Sequence, residues 1–416
     1  MTEAEPEVAG FVGGNRVALL EGGDQLFPAM QRAMAEARRQ VWLATYIFHD
    51  DAAGLAMADA LCAAARRGLA VHVVVDGFGS MAALPALQRR LADGGVQFDV
   101  FRPLDRWSSW LQPSQLRRLH HKLCVVDDAV AFVGGINVLD DRLDLHHGRS
   151  EQPRLDFAVE LRGPVVAQAQ HLVQSLAARA RLGHEWRVEM GALARSAQPV
   201  ADTLQLLREL RATPSATSMP PDTPQPVQVA FVVRDNFSQR RAIERRYIEA
   251  VRAARVSVDI ACPYFYPRRA FTRSLLAAAQ RGVRVRLLMQ GKVDYPLAAL
   301  AARVLYDELL AQGVRIFEYM PAFLHAKVAV VDADWATVGS SNIDPLSLLL
   351  NLEANAVVRD AAFAQQLRVR LEVALAASHE IKAAPLREGW RRSLSRRFVA
   401  WCAALYLRVA GVTGRY

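Results

Sequence analysis

The pattern His-x-Lys-x4-Asp-x6-Gly-[Gly/Ser]-x-Asn occurs twice in this chain, with its two histidines 205 residues apart. The first copy, HHKLCVVDDAVAFVGGIN, carries His120, Lys122, Asp127, Gly134, Gly135 and Asn137. The second, HAKVAVVDADWATVGSSN, carries His325, Lys327, Asp332, Gly339, Ser340 and Asn342. A spaced pattern this specific does not recur by accident, so each copy marks the same local structure. A chain with such an internal repeat folds as two equivalent halves. The repetition also runs beyond the motif. Residues 41–80 and 256–294 each read as a β-branched run, a turn, an Ala/Leu-rich helix, Arg-Gly and a Val/Leu-rich strand. Gly68 and Gly282 follow those helices, where a left-handed C-cap is expected before the chain enters the next strand. Residues 91–103 and 309–321 then repeat a helix end, a glycine and a strand.

Strands alternating with helices predict an α/β fold, here two tandem α/β sandwich halves with helices on both sides of a central sheet. Runs such as VHVVVD and VRLLM lack polar alternation, as strands buried on both faces do. The Pro-, Ser- and Thr-bearing stretch between the halves reads as a linker, with one short helix at 202–211. The expected division is a first half at 1–195, a linker at 196–227, a second half at 228–378 and a C-terminal tail at 379–416. An apolar content of 52% with 22% charged residues excludes a disordered chain. The net charge of +9 favours anionic partners, a lipid surface or nucleic acid, although an Arg- and Ala-rich genome gives the same balance. Cys62, Cys124, Cys262 and Cys402 are widely spaced, with no zinc pattern, and read as reduced core residues of a cytoplasmic protein. The acidic, polar N-terminus reads as neither a secretory signal nor an anchor. No apolar run approaches the ~18 residues of a spanning helix.

Each motif has a layout as well as a spelling. In KLCVVDD and KVAVVDAD, strand alternation sets His120 with Lys122, and His325 with Lys327, on one face. Glycines end the following strands, where backbone approaches a neighbour closely, and Asn137 and Asn342 offer amide donors beyond them. Two such halves meeting about a pseudo-twofold axis make one cationic, donor-rich site with two histidines, two lysines and two asparagines. That set suits a phosphodiester. One histidine attacks phosphorus and expels an alcohol, giving a phosphohistidine. The other protonates the leaving alkoxide and later deprotonates the acceptor. Lys122, Lys327, Asn137 and Asn342 are the candidates for holding the non-bridging oxygens. The scheme requires no metal or cofactor, and no carboxylate cluster is spaced for a metal.

A nucleophilic imidazole needs a partner on its second nitrogen. Asp156, in RLDFAVELRGP, and Glu353, in LLLNLEANAVVRD, are the candidates, since they occupy comparable positions after their motifs; the alternative for each is a strand-edge carboxylate. Asp127 and Asp332 belong to the motif and to the candidate catalytic set, yet they sit at strand–turn junctions where Asp caps a turn. His121 is expected on the face opposite His120. His49, His72, His171, His184 and His379 read as surface or packing residues, and His146 and His147 as part of a polar loop.

The motif residues are identified as those of the phospholipase D superfamily, the HKD phosphodiesterases, over nearly the whole chain. Within it the sequence resembles bacterial cardiolipin synthases of the short B-type, which lack N-terminal transmembrane helices. YIFHDDAAG, ACPYFYP and LHAKVAVVDADWATVGSSNIDPLSLLLNLEANAVVRD carry that closer likeness. The resemblance implies two phospholipase D-like halves sharing one active site. It implies transfer of a phosphatidyl group from phosphatidylglycerol to an alcohol on a second lipid, with release of glycerol. It places the nucleophile at His120 and the acid/base at His325.

The C-terminal stretch REGWRRSLSRRFVAWCAALYLRVAGVTGRY is arginine-rich and then apolar from Phe398 to Leu407. It reads either as an interfacial helix on anionic lipid or as a helix docked on the protein's own core. Trp107 and Trp110 stand ready to flank a lipid entrance or to pack in the core. The expected partners are therefore an anionic membrane surface at the cytoplasmic side of the cell membrane, phosphatidylglycerol and an acceptor alcohol. Hydrolysis by the same intermediate, giving phosphatidic acid, is the alternative, because acceptor choice depends on how well water is excluded. A nuclease of the same superfamily is disfavoured, since aromatic residues are not interleaved with Lys and Arg. Oligomeric state is left open.

Overall fold

The computed structural model describes residues 10–103, 118–144, 148–192, 227–235, 239–292, 305–344 and 351–382; for 182–192 it describes the backbone helix alone. The first half contains β1 (Val12–Glu21), α1 (Gly22–Glu36), β2 (Gln40–Thr45), α2 (Ala52–Arg66), β3 (Ala70–Asp76), α3 (Leu84–Asp93) and β4 (Gln97–Phe101). It continues through β5 (Lys122–Val126), β6 (Val130–Gly134), a small β7–β8 ladder (Leu143–Asp144, Gly148–Arg149), β9 (Phe157–Arg162) and α4 (Val166–Ala192). The second half contains β10 (Val227–Arg234), α5 (Ala242–Ala253), β11 (Ser257–Ala261), α6 (Arg269–Gln280), β12 (Arg284–Gln290), α7 (Tyr306–Ala311) and β13 (Arg315–Tyr319). It closes with β14 (Val328–Val331), β15 (Trp335–Gly339), β16 (Glu353–Arg359), α8 (Ala361–Ala376) and β17 (Ser378–Ile381).

The repeat read in the sequence is the repeat of the fold. Among the described residues, strands run β4-β3-β2-β5-β6-β9-β1 in one half and β10-β16-β15-β14-β11-β12-β13-β17 in the other. In each half three strands are parallel, joined through helical crossovers, and the motif strands add antiparallel to them. Gly68 and Gly282 take φ of 90° and 86° after α2 and α6, the left-handed turn that lets each chain drop into its next strand without a side-chain clash. Asp51 and Asp360 cap α2 and α8 by accepting the N–H of Gly54 and Phe363 at 2.9 and 2.7 Å.

The two half-sheets join edge to edge where β1 pairs with β10, across a bulge between Val12 and Asn15. Asn15 fills that irregularity, donating to the Val12 carbonyl at 2.6 Å and accepting the Val165 N–H at 3.0 Å. They also meet face to face, with β6 and β9 lying against β15 and β16. One apolar core therefore belongs to both halves: Val125, Phe157 and Leu161 share it with Phe231, Val330 and Ala356, and α4 and α8 cover its flanks with Val173, Leu176, Leu367 and Leu371. Two further cores lie outside, one under α1–α3 and one under α5–α7. Because the central core is contributed by both halves, hydrophobic burial fixes them relative to each other.

At the expected boundaries, Val227 already opens β10, and Ser378–Ile381 continues the sheet as β17, paired with β13 and tied by Arg315 to Glu380 at 2.7 and 2.9 Å. The linker helix at 202–211, Trp107, Trp110, His146, His147, Cys402 and the arginine-rich tail lie outside the described residues. So does the side chain of His184. Among the described residues no helix is long and apolar enough to cross a membrane. Cys62, Cys124 and Cys262 are buried free thiols.

Candidate active site

Each motif histidine stands just before an antiparallel strand, β5 or β14, and is fixed by backbone from the opposite half. Leu119 and Leu352 form a parallel bridge, in which the His120 N–H donates to the Leu352 carbonyl at 3.1 Å and the Leu352 N–H to the Arg118 carbonyl at 2.9 Å. Reciprocally, Leu155 and Leu324 form a parallel bridge, and the N–H groups of His325 and Ala326 donate to the Leu155 carbonyl at 2.9 and 3.0 Å. Each clasp sets a histidine against the residue that precedes the other half's carboxylate, Leu352 before Glu353 and Leu155 before Asp156.

The side chains pair accordingly. His120 Nδ1 lies 3.0 Å from a Glu353 carboxylate oxygen, and His325 Nδ1 lies 2.6 Å from Asp156 Oδ2. The sequence left the pairing open; in the fold each histidine meets the acid of the opposite half. Both rings are held through Nδ1, so Nε2 is the nitrogen left to meet a ligand. The residues lie in one electrostatic environment, since Lys122, Lys327 and His120 all bear on His325. Lys122 Nζ donates to the His120 carbonyl at 2.9 Å, and Lys327 Nζ to the His325 carbonyl. Asn137 accepts the Ile47 N–H at 3.3 Å through its side-chain oxygen, which leaves its amide N–H groups to offer. Tyr46 leans over His120 with ring centroids 4.9 Å apart.

Burial governs the proton affinities. It lowers His120 to about 4, against the opposing pull of Glu353, and lowers His325 below the usual imidazole range with help from Lys327. It lowers Lys122 to about 7 and Lys327 to about 8, and raises Asp156 to about 7. Burial works to raise Glu353 too, but His120, their hydrogen bond and Lys122 hold it below the usual carboxylate range. An anion beside these two lysines would favour their charged forms.

The structure does not bring Asp127 and Asp332 to the histidines. Each stands beyond the far end of its motif strand, at φ of 54° and 48°. Asp127 accepts the N–H groups of Arg38, Arg39 and Gln40 at 2.7, 2.8 and 2.9 Å. Asp332 accepts those of Arg255, Val256 and Ser257 at 2.8, 2.8 and 2.9 Å. Both thus pin a strand entrance by three donors, and their place in the candidate catalytic set gives way to an architectural one. His72 stays apart from this arrangement, stacking on Trp42 at 3.7 Å and meeting Arg181 at 3.0 Å, whereas His121 is buried beside His120 and feels Glu353 and Lys122.

Sequence reasoning missed three supporting residues. Ser340 donates its hydroxyl to Glu353 Oε2 at 2.5 Å. At the matching place a Cβ on Gly135 would lie 2.3 Å from Asp156 Oδ1, so the Gly/Ser difference between the motifs is a steric one. Asp76 accepts the Leu119 N–H at 2.8 Å and Gln290 accepts the Leu324 N–H at 2.7 Å, fixing the residue before each histidine. These two end equivalent strands at the same place in the repeat, before Gly77 and Gly291, and that coincidence was the available signal.

Comparison with known proteins gives the family and the fold. The family model described as "Cardiolipin synthase, PLD-like domain" matches residues 30–147 and 247–374, once in each half. The chain belongs to this phospholipase D-like family. It is 37% identical over 365 residues to cardiolipin synthase B of Escherichia coli K12, covering 88% of this chain and 81% of that protein. It is 33% identical over 379 residues to cardiolipin synthase A of Pseudomonas putida GB-1, covering 91% and 72%. Among solved structures, the phosphatidylserine synthase of Haemophilus influenzae Rd KW20 shares the fold with a TM-score of 0.63 and 14% identity, over 96% of both chains. The family model thus falls once on each half of this chain, and the clasp between the halves brings each histidine to the acid of the other.

Proposed function

We propose that this protein is a cardiolipin synthase-type phosphatidyltransferase that moves a phosphatidyl group from phosphatidylglycerol to the hydroxyl of an acceptor lipid, giving cardiolipin and glycerol. The observation that carries the reading is the crossed pairing of two histidines, one buried and one half-buried, with two buried carboxylates, His120 with Glu353 and His325 with Asp156. The relatives' names support the substrate class.

In the first half-reaction His120 Nε2 attacks phosphorus and the bond to the glycerol oxygen breaks. His325 gives that oxygen its proton, and glycerol leaves. Glu353 on Nδ1 stabilises the cationic phosphohistidine. In the second, His325 takes the proton of the acceptor hydroxyl, whose oxygen attacks phosphorus, and the P–N bond breaks to restore His120. Lys122, Lys327, Asn137 and Asn342 hold the non-bridging oxygens while charge shifts between them. The same reading places the protein at the cytoplasmic face of the cell membrane, peripheral and on anionic lipid. The arginine-rich residues from Arg387 supply the attraction.

Incubation of purified protein with vesicles of labelled phosphatidylglycerol tests this directly. Cardiolipin with released glycerol is expected. Phosphatidic acid alone would make the acceptor water and the enzyme a phospholipase D; no lipid product would overturn the reading.

A further inference from the structure

The two orienting carboxylates occupy equivalent places, Asp156 just before β9 and Glu353 at the start of β16, but the strands beside them differ. β10 sets Arg234 directly opposite Glu353 in antiparallel register. Directly opposed residues project on the same face with Cβ atoms about 5 Å apart. Arg234 is among the largest fully buried side chains of the protein. At the end of β1 the equivalent place is taken by Gly22, which follows the Glu21–Phe157 pair and donates its N–H to the Asp156 carbonyl at 2.9 Å. Gly22 has no side chain, and Asp141 fills the space: its Oδ2 lies 3.1 Å from where a Cβ would stand and accepts the Gly23 N–H. One orienting carboxylate is backed by a buried guanidinium, the other by a buried carboxylate.

We propose that Arg234 and Asp141 are positioning residues that break the twofold symmetry of the site. Arg234 keeps the Glu353–His120 pair short of a proton. Asp141 keeps the Asp156–His325 pair supplied with one. That difference is the starting state two-step transfer needs, a free imidazole on one side and a proton donor on the other, and it assigns the nucleophile to His120 and the acid to His325.

The surrounding charges are consistent with this division. Glu353 faces His120, Lys122 and the Ser340 hydroxyl, and Arg234 in turn feels Glu353, Asp344, Glu244 and Asp235, which keep it charged despite burial. Asp156 faces His325, Lys327, Lys122, the Phe157 N–H and Asp141, while Arg154, with Lys327 and Lys122, bears on His325 and works against its proton. Asp141 itself meets the Gly23 N–H, Arg154, Asp24 and Asp140, and burial raises it to about 6. Burial raises Asp156 to about 7, whereas Glu353 stays ionised.

The naming of nucleophile and acid rests on the transfer reading above, but the proton difference is measured without any lipid. Full-length protein labelled with 15N in its histidine rings, with signals assigned through His120→Gln and His325→Gln, is titrated by NMR. The His325 pair should bind its proton at higher pH than the His120 pair. Asp141→Asn, which keeps the bond to the Gly23 N–H, should lower the His325 transition by on the order of one pH unit. Arg234→Met should raise the His120 transition, and Arg234→Lys should restore it. If Arg234→Met fails to fold, Asp141→Asn and Arg234→Lys decide the matter alone. A reversed order of the two transitions, or an Asp141→Asn protein that titrates like wild type, overturns the proposal. The expected order in a protein that forms no product from phosphatidylglycerol would remove the transfer reading and leave the two walls standing.

Discussion

Asp127→Ala separates architecture from chemistry in this motif. The Asp127 carboxylate accepts three backbone N–H groups, from Arg38, Arg39 and Gln40. At this half-exposed position each bond is worth roughly 0.5–1 kcal/mol, or about 2 kcal/mol for the set. Asp127 also holds φ at 54°, a left-handed conformation that costs alanine about 1 kcal/mol more than it costs Asp. The substitution should therefore destabilise the protein by about 3 kcal/mol and lower its melting midpoint by roughly 3–4 °C. Activity per folded molecule should be kept. The same carboxylate is held below the usual range, because those N–H groups outweigh its partial burial. Its contribution is thus present above the unfolded carboxylate value near 4 and is lost as pH falls through the lower folded value. The wild-type and mutant melting curves should therefore converge in acid. Thermal melts across pH, paired with turnover normalised to folded protein, read both effects. An unchanged melting midpoint with a loss of turnover in the 10²–10⁴ range of a general base would refute the architectural reasoning.

Other substitutions report on the site itself. His120→Ala and His325→Ala should each abolish turnover and leave the far-UV and melting signatures intact; substantial activity in either would sink the shared site. Glu353→Gln and Asp156→Asn should each lower kcat by roughly 10²–10⁴, the cost of a wrongly held imidazole, with little change in KM. Gly135→Ser should cost far more than Ser340→Gly, because a Cβ at 135 meets Asp156 Oδ1 at 2.3 Å, whereas residue 340 already accommodates one; equal losses in the two would contradict the steric account. The pH–rate profile should be bell-shaped. Its acid limb lies near the value of about 4 to which burial lowers His120, below which the nucleophile is protonated. Its alkaline limb lies near 7, where the Asp156–His325 pair gives up its proton; a rate still rising above pH 9 would count against that pair as the acid.

Much of this was legible because the chemistry is written locally. His120, Lys122 and Asn137 fall within one strand–turn–strand unit, and its second copy announces that two such units meet. The β-branched and apolar runs of β3 and β12 give the parallel core of each sheet by composition alone. β1 was not legible: VGGNRVALLE mixes glycines and polar residues, and it becomes a strand because β9 and β10 pair with its two edges. The crossing of the acid–histidine pairs was hidden for the same reason. It depends on the Leu119–Leu352 and Leu155–Leu324 bridges between distant segments, which no local pattern encodes. Asp127 and Asp332 show the reverse case, residues spelled within a catalytic motif whose neighbours, read in space, are three turn amides.

Rapid quench of the protein with labelled phosphatidylglycerol into denaturant at mildly alkaline pH, where the P–N bond of a phosphohistidine survives, followed by peptide mapping, tests the central claim most directly. A single phosphatidyl group per chain, attached to His120 and absent from His120→Ala, is the predicted result. Label on both histidines, or cardiolipin formed with no covalent intermediate at any quench time, would contradict it.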